Sequence, residues 1–307
     1  MAGSRSPLRR LLEGIWQNRK ARIGAVLVSF FLITALIGPW FVGDPQSFDS
    51  IPLTPPSSGH WLGTTGQGQD VLSQTVHGSQ QTLLVAFVAG FGVVLLGALI
   101  GGIGGFFGGW IDDVIGVFIN MFLVMPGLPL MVILAAWLPP GPSTMIGVLV
   151  ATGWAWNARV LRSKVLSLRK ADFVQAAIVS GEPALSVLFR EILPNMLSLL
   201  MTSFIGATIY AIGAQVGLEF IGLGDPSSVT WGTNLYWARN DSALLMGAWW
   251  TFVPAGFAIA LVGFGLTLLN FGIDEVTNPR LRSEREWRNV VGDAAKKGPE
   301  TVVMHDV

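Results

Sequence analysis

The sequence has 307 residues, 51% of them hydrophobic and only 12% charged, with a mean hydropathy of +0.57. Those values place it among integral membrane proteins. Lys+Arg and Asp+Glu both number 19, so information lies in where the charges sit, and the absence of cysteine excludes disulfides, zinc–thiolate sites and cysteine catalysis.

Residues 1–22 are basic, carrying Arg5, Arg9, Arg10, Arg19, Lys20 and Arg22, and residues 23–42 follow without a charge. A bilayer core of about 30 Å needs about 20 helical residues, so 23–42 predicts a first transmembrane helix. A signal peptide is the competing reading, but the run is long for a signal core and no small-x-small cleavage site follows. Residues 43–82 are polar and turn-rich, contain no Lys or Arg, and predict an external loop. Within it Val71, Leu72, Thr75 and Val76 form one face of a short helix expected to lie along the membrane surface.

Residues 60–78, HWLGTTGQGQDVLSQTVHG, resemble the HxLGTDxxGRDVLSRxxxG signature of the dipeptide and oligopeptide permease group. Thr65 and Gln69 depart from it, standing where that group has Asp and Arg. Residues 83–273 then predict a five-helix core. The run 83–107 carries Gly97, Gly101 and Gly105 at the small-xxx-small spacing that lets helices approach closely. No Gly-Lys of a Walker loop accompanies its glycines. A short turn with Asp112 and Asp113 leads to a run over 114–138, which Pro126 and Pro129 should kink. The span at 143–158 ends in Trp154 and Trp156, expected at the interface.

Five basic residues, Arg159, Arg162, Lys164, Arg169 and Lys170, precede the segment 171–195, which reads as two short amphipathic helices joined at Gly181-Glu182-Pro183. Gly181 suits a left-handed helix end and Pro183 the first turn of the next helix. Phe173, Ala176, Ala177 and Ser180 share one face; Leu185, Leu188, Phe189, Ile192 and Leu193 share another. The order Gln175-Ala176-Ala177, Gly181, Ile192-Leu193-Pro194 resembles the coupling loop, or EAA loop, of the membrane subunits of bacterial ABC importers.

A further span covers 196–218 and ends at Glu219. Phe220 to Gly224 and Trp231-Gly232 resemble other signatures of the same group. The run 243–273 exceeds one straight crossing: either it tilts, or it begins as an interfacial segment around Trp249-Trp250 before Pro254. Asn270, Asp274 and Asn278-Pro279-Arg280-Leu281 resemble the family's closing pattern, and 274–307 predict a cytoplasmic tail without apolar periodicity.

The resemblance implies an all-α integral membrane protein of the type I ABC importer fold: six transmembrane helices and a cytoplasmic coupling helix–turn–helix. Eighteen of the 19 Lys and Arg fall at the termini or between 159 and 190, leaving Arg239 opposite, which by the positive-inside rule puts both termini and 171–195 in the cytoplasm of a bacterial inner membrane. Implied coupling residues are Gln175, Ala176, Ala177, Gly181, Glu182, Leu188, Ile192, Leu193 and Pro194. Candidates for the pore or substrate pathway are Asn120, Gln215 and Glu219, the last as a boundary carboxylate that either meets a substrate amine or is merely exposed at the interface. Implied partners are a second homologous permease, two ABC ATPases, an external solute-binding lipoprotein and the lipid bilayer. No nucleic acid, cofactor, metal or catalytic residue is expected. Thr65, Gln69, Asn120, Gln175 and Gln215 are neutral where the family is commonly ionised. The alternative, an ATP-independent secondary transporter or channel, calls for paired intramembrane charges or inverted repeats, which the sequence lacks.

Overall fold

The computed structural model describes residue 16 and residues 18–277. The basic start with Arg5, Arg9 and Arg10, the Asn278-Pro279-Arg280-Leu281 stretch and the tail to 307 lie outside them.

The described chain is helical apart from one isolated antiparallel bridge, Thr64 to Asp70. Its helices are α1 (Arg19–Ile37), α2 (Val71–Phe107), α3 (Gly109–Val124), α4 (Gly127–Trp137), α5 (Pro142–Leu168), α6 (Asp172–Val179), α7 (Leu197–Phe220), α8 (Trp231–Asn240) and α9 (Val253–Thr277). Between α6 and α7 lie three short pieces, Ala184–Ser186, a π-helical turn Val187–Ile192, and Leu193–Asn195.

Four helices are long and apolar enough to cross a membrane: α1 with the turn after it, α2, α7 and α9. A fifth span results if α3 and α4, bent by 85°, are one broken crossing. The bend falls at Met125–Pro126, where proline has no N–H to give and its ring disfavours helical backbone at the residue before it; Met125 is extended, with ψ 135°. α5, in the place of the expected span at 143–158, is a single helix of 27 residues whose second half carries Arg159, Arg162 and Lys164.

Three local expectations are corrected. The surface helix at Val71 is the opening of α2, which Asp70 caps through a bond from the Ser73 amide at 2.8 Å and which runs 37 residues, about 55 Å, without a break. Asp112 and Asp113 sit inside α3; the reversal from α2 is made by Gly108 and Gly109, at φ 67° and 57°. Trp154 is buried beside Phe122, ring centroids 5.0 Å apart, because α5 continues nearly four turns past it; Trp156 is 64% exposed. The long run at 243–273 takes its second reading: a 3-10 turn at Trp249–Thr251 precedes α9.

The bundle is held at close-approach sites. A Cβ on Gly101 would collide with the Ala158 carbonyl, and one on Gly105 would sit 2.7 Å from that of Arg162, so α2 and α5 touch backbone to backbone. A Cβ on Gly24 of α1 would likewise sit 2.5 Å from the Gly265 carbonyl of α9. A main apolar core runs between these helices, while Phe30, Ile33, Phe118, Ile133, Phe257 and Phe264 point outward and are exposed. Outward apolar faces on every side suit lipid or protein neighbours rather than water.

Candidate functional site

The first candidate site is the elbow between α5 and α7. α6 stops at Ser180, and Gly181 takes φ 82°, with its own N–H bonded to the Ile178 carbonyl and the Glu182 N–H bonded to that of Ala177, the 6→1 and 5→2 pair of a Schellman cap. Only glycine holds that backbone without strain.

The elbow has its own apolar core. Val174, Val187, Leu188, Ile192 and Met196 are at most 2% exposed and pack on Phe106 of α2 and Leu161 and Val165 of α5. Leu188 and Ile192, expected on a surface offered to a partner, are therefore inside. The π-helical turn explains it: i→i+5 bonding brings Val187 and Ile192 to one side, dividing the stripe that α-helical spacing would keep whole. Phe173, Gln175, Ala176, Val179, Glu182, Leu185, Phe189 and Pro194 stay exposed, while Ala177 and Leu193 are half-buried. Gln175 donates from Nε2 to the Arg169 carbonyl at 2.8 Å, satisfying an end of α5.

The second site is a groove of about 590 Å³ among α2, α3, α5, α7 and α9. Its polar lining comes from Thr152, Asn157, Thr202, Ser203, Tyr210 and Asn270, with Asp274 as its charged residue among those described. None of the three expected pathway residues lines it. Asn120 faces outward on α3, where it accepts a 3.4 Å bond from Arg159. Gln215 is fully buried and donates to Glu219 at 2.9 Å. Glu219, 5% exposed, also accepts from the Thr230 hydroxyl at 2.6 Å, so it is neither interfacial nor presented to the groove. Helical phase decides this: 215 and 219 lie on the side of α7 turned to α8. Ser203, Gly206, Ala207 and Tyr210 lie on the side lining the groove. That small and polar stripe at helical spacing was the available signal; a search for charges passes over it.

At the opposite end, the loop before α2 and the segment around α8 fold together. His60 bridges Asp70 through Nδ1 at 2.8 Å and Ser50 through Nε2 at 2.9 Å; Thr64 donates to the Ile51 carbonyl; Trp250 donates to the Thr64 carbonyl. Thr65 accepts the Gln69 amide N–H at 3.1 Å, so these two neutral residues are joined by a hydrogen bond. Asp241 lies against Gly66, its Oδ2 buried and without a partner among the described residues, and burial raises its carboxyl above the ordinary aspartate range. Trp231 at the start of α8 is fully buried, its indole donating to the Thr75 carbonyl at 2.9 Å and its amide to Thr82 at 3.1 Å.

Apolar helices of crossing length, outward apolar faces and a polar groove within the bundle define a multi-pass membrane protein. Residues 93–283 match the family described as binding-protein-dependent transport system inner membrane component, and the chain belongs to that family. It is 30% identical over 273 residues to the dipeptide transport system permease protein DppC of Bacillus subtilis (strain 168), covering 87% of this chain and 83% of that one. It is 29% identical to the protein of the same description from Alkalihalophilus pseudofirmus, over 91% of both chains. It is also 29% identical to the oligopeptide transport system permease protein OppC of Bacillus subtilis, over 86% of this chain and 87% of that one.

Proposed function

We propose that this chain is one of two membrane subunits of an ABC importer for peptides or similar small solutes. It forms half of the translocation path with a second, homologous permease, receives solute from an external binding protein and is driven by two ATPases docked on the elbow. Six crossings carry it: α1, α2, the bent pair α3–α4, α5, α7 and α9, with both termini and the elbow cytoplasmic. The groove among α2, α5, α7 and α9 is this subunit's share of the path, its hydroxyls and amides replacing water around a polar solute.

The observation that carries this reading is the division of the elbow into a buried floor and an exposed apolar face. A segment packed on its own α2 and α5 through Leu188 and Ile192, yet leaving Phe173, Val179, Leu185 and Phe189 uncovered, is built both to hold its shape and to be held by something else. Nucleotide-driven closure of the ATPases then pushes on a rigid part rather than on a loose loop.

The test is to change the outer face alone. Val179→Asp with Leu185→Asp should leave the thermal unfolding midpoint of the purified subunit unchanged and remove co-purification of the ATPases together with ATP-driven dipeptide uptake in proteoliposomes. Retained uptake with both aspartates in place would defeat the reading.

A further inference from the structure

Arg162 of α5 and Arg169, which caps that helix, bind the floor of the elbow to the reversal between α2 and α3. Arg162 forms a two-pronged ion pair with Asp112 in the first turn of α3, Nε to Oδ1 at 2.5 Å and Nη2 to Oδ2 at 2.7 Å, with both side chains largely shielded. Arg169 donates from Nη1 to the Phe107 carbonyl at 3.4 Å, and its own carbonyl accepts from Gln175 of α6. Arg162 stands where α5 touches α2 at Gly101 and Gly105, between Leu161 and Val165 of the elbow's floor. α3 is then packed along its length on the same pair of helices, Ile115, Ile119 and Phe122 meeting Ile100, Trp154 and Ala158.

The chain leaves this cluster at the Met125–Pro126 break. Beyond it, Met131 and Ala135 of α4 belong to the main core, and a Cβ placed on Gly127 would meet nothing within 4 Å. A bidentate guanidinium–carboxylate pair resists shear as well as separation, because both bonds must break for either partner to slide.

We propose, resting on the importer reading above, that Arg162 is a positioning residue for coupling: its clamp on Asp112 makes the elbow and α3 one rigid body, and the motion imposed by the ATPases is taken up at Met125–Pro126. α3 moves with the elbow. α4 swings relative to it, and the wall of the groove formed by Leu123 moves with α3.

The absence of cysteine allows spin labels to be placed in pairs at introduced cysteines of this subunit before it is assembled with its ATPases. Labels at Val117 on α3, Asn195 in the elbow and Leu128 on α4 all sit on exposed positions. Across the nucleotide cycle the Val117–Asn195 separation should stay constant while Val117–Leu128 changes. Arg162→Met should release the first constraint and raise the ATP hydrolysed per solute imported at least threefold, with hydrolysis itself retained. Arg162→Lys, keeping the charge but not the second bond, should fall between, and exchanging the two residues (Arg162→Asp with Asp112→Arg) should restore coupling.

A Val117–Asn195 distance that changes as much as Val117–Leu128, or a Val117–Leu128 distance that does not change, overturns the proposal. So does an Arg162→Met complex whose hydrolysis and uptake fall in proportion. Should that variant not assemble, the distances in the unaltered clamp decide. Failure of the importer reading itself is distinguishable, since the unsubstituted complex would then show no nucleotide-driven uptake.

Discussion

A carboxylate inside a helix bundle needs donors, and Glu219 has two from side chains, the Thr230 hydroxyl and the Gln215 carboxamide, beside the Gly232 amide. Thr230 is also the N-cap of α8, accepting the Thr233 amide, so the carboxylate ties α7 to the start of α8. Glu219→Leu strands both side-chain donors at a cost of about 1–3 kcal/mol each and should lower the unfolding midpoint in detergent by several degrees. Glu219→Gln should be nearly neutral, because Gln215 Oε1 is buried without a partner among the described residues and can accept the new N–H. Loss of uptake in Glu219→Gln at an unchanged midpoint would instead give the charge a part in transport. Asp241 makes a prediction of opposite kind. Its carboxyl is raised by burial, so the folded protein holds the proton to higher pH than the unfolded chain. Stability from this group is therefore greatest below the usual aspartate pKa and declines as pH rises from there through the folded value. Asp241→Asn should raise the midpoint at neutral pH, and the gain should vanish at about pH 3.5, near the ordinary aspartate pKa.

Among the helices, what could be read beforehand was what depends on local chemistry. The left-handed turn at Gly181, the kink at Pro126 and the glycine contact of α2 with α5 all follow from single residues or a four-residue spacing. What could not be read depends on phase across a distance. The π-helical register that turns Leu188 and Ile192 inward, the side of α7 chosen by Glu219, and the groove lining of Ser203 and Tyr210 are each settled by which neighbour packs against which face. Hydropathy also sets a boundary only where apolar residues stop, so the polar opening of α2 passed for a separate surface helix. The α2–α5 contact gives the prediction at this scale. Gly101→Leu must push two backbones apart and should destabilise the bundle by about 3 kcal/mol, whereas Gly213→Ala on α7, where a Cβ meets nothing within 4 Å among the described residues, should be neutral or slightly stabilising; chemical denaturation in mixed micelles compares them.

Taken whole, the molecule poses one topological question: does the bent pair α3–α4 cross the membrane, or does it dip in and return? The contact of α2 with α5 bears on it. Gly97 abuts Asn157, Gly101 abuts Ala158 and Arg162, and Gly105 abuts Arg162 and Val165, so residue numbers rise together and the two helices run parallel. The same offset sets Pro142, where α5 begins, level with Thr82 near the beginning of α2. For parallel helices joined by α3 and α4, the chain must return from the end of α2 at Phe107 toward the end where α2 began, and a re-entrant loop that came back to Phe107's side could not reach the start of α5. In the six-crossing reading proposed above the bent pair is one of the crossings, and an even count would put the start of α1 and the end of α9 on one side, where the Asn18–Glu275 bond at 2.8 Å joins them. That reading assigns 18 of the 19 Lys and Arg to the cytoplasmic side, and single cysteines at Ser58, Pro140 and Ala184 should separate the possibilities. In intact right-side-out vesicles a membrane-impermeant maleimide should label Ser58→Cys and Pro140→Cys, and should reach Ala184→Cys only after the membrane is opened. Labelling of Ala184→Cys together with Ser58→Cys, with Pro140→Cys protected, would make α3–α4 re-entrant and reduce the crossings to an odd number.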